Sequence, residues 1–161
     1  MPAVKPIQIP RTSLEEIFRH ARESFPNECC GWITGHKDSE EADGVRRATN
    51  AYTPKAHPTA KNRTAETAYI ISDSDLLDLN RTLDNEVRPR VIYHSHPNGR
   101  AYFSQTDRTN AFDPWGEGPS YPVQQIVVGI NEKQVVEARQ FAWDAGVGDF
   151  IEIAIYEGLE I

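Results

Sequence analysis

The residues of this chain best suited to chemistry sit in one stretch, Tyr93-His94-Ser95-His96-Pro97, followed by Ser104 and Asp107 at a spacing that reads H-x-H-P-x6-S-x-x-D. Two imidazoles and a carboxylate form a donor set for a divalent transition metal. Zinc is the first expectation, and iron or cobalt would fit the same ligands. A strand-type run, Arg90-Val91-Ile92-Tyr93, leads into the histidines, and Pro97-Asn98-Gly99 breaks it. His94 and His96 are therefore expected at a strand end, where a period of two turns both rings to one face. Asp107 would supply the third ligand from the first turn of a short helix that begins at Ser104. Three protein ligands leave one position open, as in catalytic zinc sites, where water has a pKa near about 7 and supplies hydroxide at neutral pH. Taken singly, the parts have plainer readings. A pair of histidines two apart can decorate a surface, and Ser104 with Asp107 also fits a helix N-cap with an acidic third residue. Those last two roles are compatible.

A second stretch, Pro26-Asn27-Glu28-Cys29-Cys30-Gly31-Trp32-Ile33-Thr34-Gly35, lies between an amphipathic helix and a short apolar strand. A glutamate at such a junction is by itself usually solvated. Glu28 followed by Cys30-Gly31 and a strand closing in Gly35, and then by H-x-H-P-x6-S-x-x-D, resembles the JAMM/MPN metalloprotease family in its small single-domain prokaryotic form. The likeness runs from about residue 13 to about residue 141. It implies that Glu28 is the general acid/base, that His94, His96 and Asp107 hold one zinc ion, and that Ser104 steadies a tetrahedral intermediate. It also implies cleavage of a peptide or isopeptide bond after the C-terminal Gly-Gly of a ubiquitin-like or sulfur-carrier protein. A hydrolase of small amides or amino-acid conjugates is the chemical alternative, and a non-catalytic MPN scaffold is the third reading. Two departures from the family pattern stand out. Phe103 precedes the serine where many members carry proline, and Cys29-Cys30-Gly31-Trp32 is bulkier and richer in thiols than usual.

The elements that must position these residues follow from periodicity. Prolines 2, 6 and 10 make residues 1–11 an extended arm. A helix is expected from Ser13, where Ser13 and Glu16 suggest a capping box and Leu14, Ile17, Phe18 and Ala21 form an apolar stripe. His20 falls off that stripe and is expected in solvent. A hairpin follows, with strands at 30–34 and 45–50. Residues 51–67 form a long irregular segment, either a binding element with scope to cover a bound substrate or a mobile surface excursion. A short strand at 68–71 precedes a helix capped by Ser72 or Asp73 with Leu76, Leu77, Asn80 and Leu83 on its apolar face. The breaker-dense loop 113–119 carries Trp115, a hydrophobic plug or a substrate contact. Residues 123–130 are almost wholly apolar and should form a central strand buried on both faces. Strands at 135–143 and 150–156 complete the chain, the last at an edge. The expected class is α/β (α+β), a mixed central sheet flanked by helices with the site at the ends of its central strands.

Size and composition narrow the rest. At 161 residues the chain is expected to be one domain, 1–161, with a core of its own. A net charge of −7 and a pI near 5.2 argue against a nucleic-acid surface, which needs a basic stripe. No apolar run approaches the roughly 20 residues needed to cross a bilayer, and the start lacks a signal-peptide core, so a cytoplasmic location is expected. Neighbouring Cys29 and Cys30 make a poor disulfide and should be reduced; strand alternation turns them to opposite faces, with Cys30 assigned to packing.

Overall fold

The computed structural model describes residues 4–51, 69, 71–112 and 118–161. Its centre is a six-stranded mixed sheet in the order β2-β1-β3-β4-β5-β6, built from β1 (Cys30–His36), β2 (Gly44–Ala48), β3 (Val87–His96), β4 (Gln124–Ile130), β5 (Val135–Asp144) and β6 (Asp149–Leu159). All neighbours pair antiparallel except β3 and β4, which run parallel. A parallel pair needs a crossover. Here the crossover carries α3 (Gln105–Ala111), the helix expected to deliver Asp107.

The hydrophobic pattern explains which strands are central. β4 is buried along nearly its whole length, as its unbroken apolar run requires, and β3 becomes fully buried from Val91 onwards. One face of the sheet packs Tyr93, Ile126 and Val128 against Ile17, Phe18 and Ala21 of α1 (Arg11–Ser24). The other packs Ile92, Trp32 and Cys30 against Leu79 of α2 (Asp73–Thr82), and Val127 against Phe103, Phe141 and Phe150 near α3. Cys29 and Cys30 fall into these two opposite clusters as free thiols, as alternation requires. The long strand β6 lies at the sheet edge.

Three local expectations are corrected. α1 starts at Arg11 with Pro10 at its N-cap and no side-chain cap, so Ser13 lies inside the helix. Its hydroxyl donates instead to the Asp43 carbonyl at 2.7 Å, tying α1 to the β1–β2 connection. His20 is buried, not solvated, because α1 lies broadly across the sheet and the Tyr93 hydroxyl, 2.6 Å from its Nδ1, gives the imidazole a polar partner there. On α2 Leu79 is the fully buried residue and Leu76 packs beside it as expected, while Leu77 is 69% exposed and Asn80 faces outwards. That helix starts at the Ser72 cap. The segment 51–67, apart from Ala51, lies outside the described residues, as do residues 68 and 70 of the expected strand at 68–71 and Trp115.

Candidate metal centre

β3 ends in the two histidines, and the alternation that buries Tyr93 against α1 turns His94 and His96 to the opposite face. His94 is wholly buried and pairs across the sheet with Cys30 on one side and Val127 on the other. His96 lies beside Gly129. After the turn at Gly99, whose φ of +79° lies in the left-handed region, the chain folds back over the strand end. The buried ring of Phe103, packed on Phe141 and Phe150, anchors this return just before Ser104. Phe103 is thus a hydrophobic anchor of the loop.

Ser104 caps α3 through the expected capping box. Its Oγ accepts from the Asp107 amide at 3.1 Å, and Asp107 Oδ2 accepts from the Ser104 amide at 2.9 Å. The cap leaves Asp107 aimed at the histidines, with Oδ1 3.1 Å from His94 Nε2 and Oδ2 3.1 Å from His96 Nε2. The two Nε2 atoms are 3.2 Å apart. Glu28 joins from the start of β1, one ligand atom each of Glu28, His94 and His96 falling within 4.8 Å of the others. All four side chains are buried, Glu28 being 4% exposed.

What holds Glu28 there was not legible from its neighbours in sequence. The Cys29 amide donates to Ser95 Oγ at 2.8 Å, and the Ser95 amide donates to the Cys29 carbonyl at 3.1 Å. The residue between the histidines, turned to the other face, thus pins the backbone next to Glu28. Asn50 Nδ2 donates to the Glu28 carbonyl at 3.0 Å. Tyr69, also missed, stacks on His94 with ring centroids 4.6 Å apart and planes inclined by 24°. The x of H-x-H was the one signal that pointed to Ser95, since a small polar residue there can bond the neighbouring strand.

The protonation pattern decides what this cluster is fit to hold. The Arg100 carbonyl, 3.2 Å from His96 Nδ1, can only accept, so the proton of a neutral His96 sits on Nδ1 and its Nε2 presents a lone pair. That lone pair faces a carboxylate oxygen. Burial opposes charge on His94, but the Asp107 carboxylate outweighs it and raises the His94 pKa; on His96 burial prevails and lowers it. Burial likewise disfavours the Asp107 carboxylate, yet the two histidines hold its pKa far below the usual carboxylate range. Two imidazole nitrogens and a carboxylate that converge to 3.1–3.2 Å form a donor set suited to a cation, which would take the place of the proton between His94 and Asp107. Ligand atoms about 2.0–2.1 Å from a tetrahedral zinc stand roughly 3.3 Å from one another, close to the separations here. The residues therefore fit a divalent metal. The thiols do not take part: burial pushes Cys29 up to about 12, and Cys30 also rises while packing among apolar side chains.

This arrangement, a mixed sheet with a two-histidine and carboxylate cluster fed by a capped helix, defines the class. Residues 10–144 match the family described as prokaryotic homologs of the JAB domain, and the chain belongs to that family. Relatives named CysO-cysteine peptidase in Mycobacterium bovis and Mycobacterium tuberculosis are 32% identical over 96 residues, 59% of this chain. The match covers 58% of their length. Among solved structures, a protein of Desulfitobacterium hafniense superposes with a TM-score of 0.60 at 21% identity, covering 89% of this chain and 87% of that one. A Salinibacter ruber protein gives 0.59 at 20% identity with 96% of each chain covered. A JAB1/MPN domain protein from Archaeoglobus fulgidus gives 0.50 at 15% identity, covering 91% and 95%. These likenesses establish the JAB/MPN fold. No described helix is long and apolar enough to cross a membrane.

Proposed function

We propose that this chain is a zinc-dependent hydrolase that cleaves a peptide or isopeptide bond after the C-terminal Gly-Gly of a ubiquitin-like or sulfur-carrier protein. The observation that carries the metal chemistry is the convergence of His94 Nε2, His96 Nε2 and the Asp107 carboxylate at 3.1–3.2 Å, with Glu28 beside them. His94, His96 and Asp107 would hold the ion. When bound, it supplies a Lewis acid and acidifies water enough to give a nucleophile at neutral pH. Glu28 takes the proton of the attacking water on its carboxylate and returns it to the leaving amine. Ser104 Oγ is occupied as an acceptor by the cap, and its hydroxyl proton has no acceptor among the described residues, so it is available to the oxyanion of the tetrahedral intermediate. Glu28, His94, His96 and Asp107 are all buried, which strengthens the electrostatic interactions among them.

The substrate reading rests on the family and on the name of the curated relatives. That name pairs a protein with cysteine, which supports an amino acid released from the end of a carrier protein as the leaving group. Free glycines at the tail suit a site this enclosed, because only glycine lets backbone pass close to the reacting centre. A cytoplasmic setting accords with two free, buried cysteines.

Intact-mass analysis tests the reading. Sulfur-carrier and ubiquitin-like proteins bearing a C-terminal cysteine or a short peptide are incubated with the zinc-loaded enzyme and with Glu28→Ala. Loss of the extension after the final glycine with wild type alone is expected. Intact carriers throughout, with small amides hydrolysed instead, would move the substrate to the low-molecular-weight class; hydrolysis of neither would favour the scaffold reading.

A further inference from the structure

A ligating histidine normally donates its second ring nitrogen to a carboxylate, carbonyl or water, which fixes the ring and tunes it as a ligand. His96 follows the rule through the Arg100 carbonyl. His94 does not: its Nδ1 is buried and has no hydrogen-bond partner among the described residues. Such a ring needs another restraint. The structure holds one in Tyr69, which lies nearly parallel to it at 4.6 Å between centroids. Tyr69 is itself packed on the apolar cluster of Cys30, Trp32, Leu79 and Ile92, on the sheet face that carries His94.

We propose that Tyr69 is a positioning residue for the metal centre, its ring stack on His94 replacing the hydrogen bond that this ligand lacks. The stack fixes the plane of the imidazole, while the facing Asp107 and His96 select the edge that turns inwards. This rests on the metal reading of the site. The role belongs to the aromatic face and not to the phenol, so phenylalanine should serve as well as tyrosine. Tyr102 offers an internal control, because it meets His96 edge-on at 5.0 Å, is 49% exposed, and touches the histidine that already has its carbonyl.

The test is zinc affinity by chelator competition, together with the visible spectrum of the cobalt-substituted protein, which reads geometry at the ion. Melting of the metal-free protein is followed alongside. Tyr69→Leu should weaken zinc about tenfold or more, in the range of lost second-layer contacts to metal ligands, and should shift the cobalt bands. Tyr69→Phe and Tyr102→Leu should stay within about twofold of wild type with unshifted bands. Tyr69→Met takes the place of the leucine variant if the latter does not fold. Wild-type affinity and spectrum in Tyr69→Leu would overturn the proposal, as would a loss in Tyr69→Phe equal to that in Tyr69→Leu, or an equal loss in Tyr102→Leu. A wild-type chain that takes up neither zinc nor cobalt would overturn the metal reading itself, and the role of Tyr69 with it.

Discussion

At the scale of single residues the site is a problem of lone pairs. His96 is turned by the Arg100 carbonyl so that its bare Nε2 faces Asp107, and Asp107 is held by the capping box so that it cannot swing away. Ser104 caps α3 with its Oγ, and under the proposed function its hydroxyl proton is left for the oxyanion. Ser104→Ala is accordingly expected to lose about 100- to 1000-fold in turnover and about 1 kcal/mol of stability from the lost cap, with zinc retained. Turnover, metal content and melting of the one variant separate the effects, and unchanged turnover would remove Ser104 from the reaction. That Glu28, His94, His96 and Asp107 would meet was legible because a strand end and a capped helix bring residues at that spacing together. Ser95, Asn50 and Tyr69 were not, because each acts on a site residue distant in the sequence: Ser95 lies 66 positions from the Cys29 amide it accepts from.

At the scale of elements, the site depends on how closely a loop can approach a strand. Gly129 of β4 stands beside His96, and a Cβ there would lie 2.7 Å from the Gly99 carbonyl and 2.8 Å from the carbonyl carbon of Arg100. Those atoms are backbone and cannot rotate aside. Gly129→Ala should therefore displace the carbonyl that orients His96, costing about 1–3 kcal/mol from overpacking and about 10- to 100-fold in zinc affinity. Unchanged affinity by chelator competition would show that the Arg100 carbonyl is dispensable. β3, β4 and the start of α3 were readable from an apolar run, its breakers and a cap. The apolar face of α2 was legible only in part, since Leu76 packs inwards as expected but docking on Trp32 and Ile92 turns Leu79 in and leaves Leu77 exposed. The expected cap at Ser13 failed for a related reason: the serine found a better partner in the Asp43 carbonyl, 30 residues away.

Across the molecule, α1 covers one face of the sheet and α2 and α3 the other, so that β3 presents Tyr93 to one layer and the histidines to the opposite one. The buried pair of Tyr93 and His20 links the site-bearing strand to α1. Burial, reinforced by Arg47, lowers the His20 pKa to about 4, against an ordinary value of about 6.5. A depressed value means that the unfolded chain binds the extra proton first. The contribution of neutral His20 is therefore complete above about pH 6.5 and is lost as pH falls towards 4, on the order of 3 kcal/mol in all. Melting temperatures of wild type and His20→Gln across that window should converge on acidification, the variant lacking this part of the slope; parallel curves would contradict it.

Under the proposed function, His94, His96 and Asp107 hold the metal and Glu28 is the base. The geometry also places Glu28 within ligand distance of both histidines, so the assignment of the two carboxylates is what most needs measurement. Metal content of purified wild type, Glu28→Gln and Asp107→Ala, read together with turnover, decides it. One zinc per chain is expected in wild type and in Glu28→Gln, the latter inactive, and none in Asp107→Ala. Loss of zinc from Glu28→Gln with retention in Asp107→Ala would reverse the two roles and contradict the mechanism.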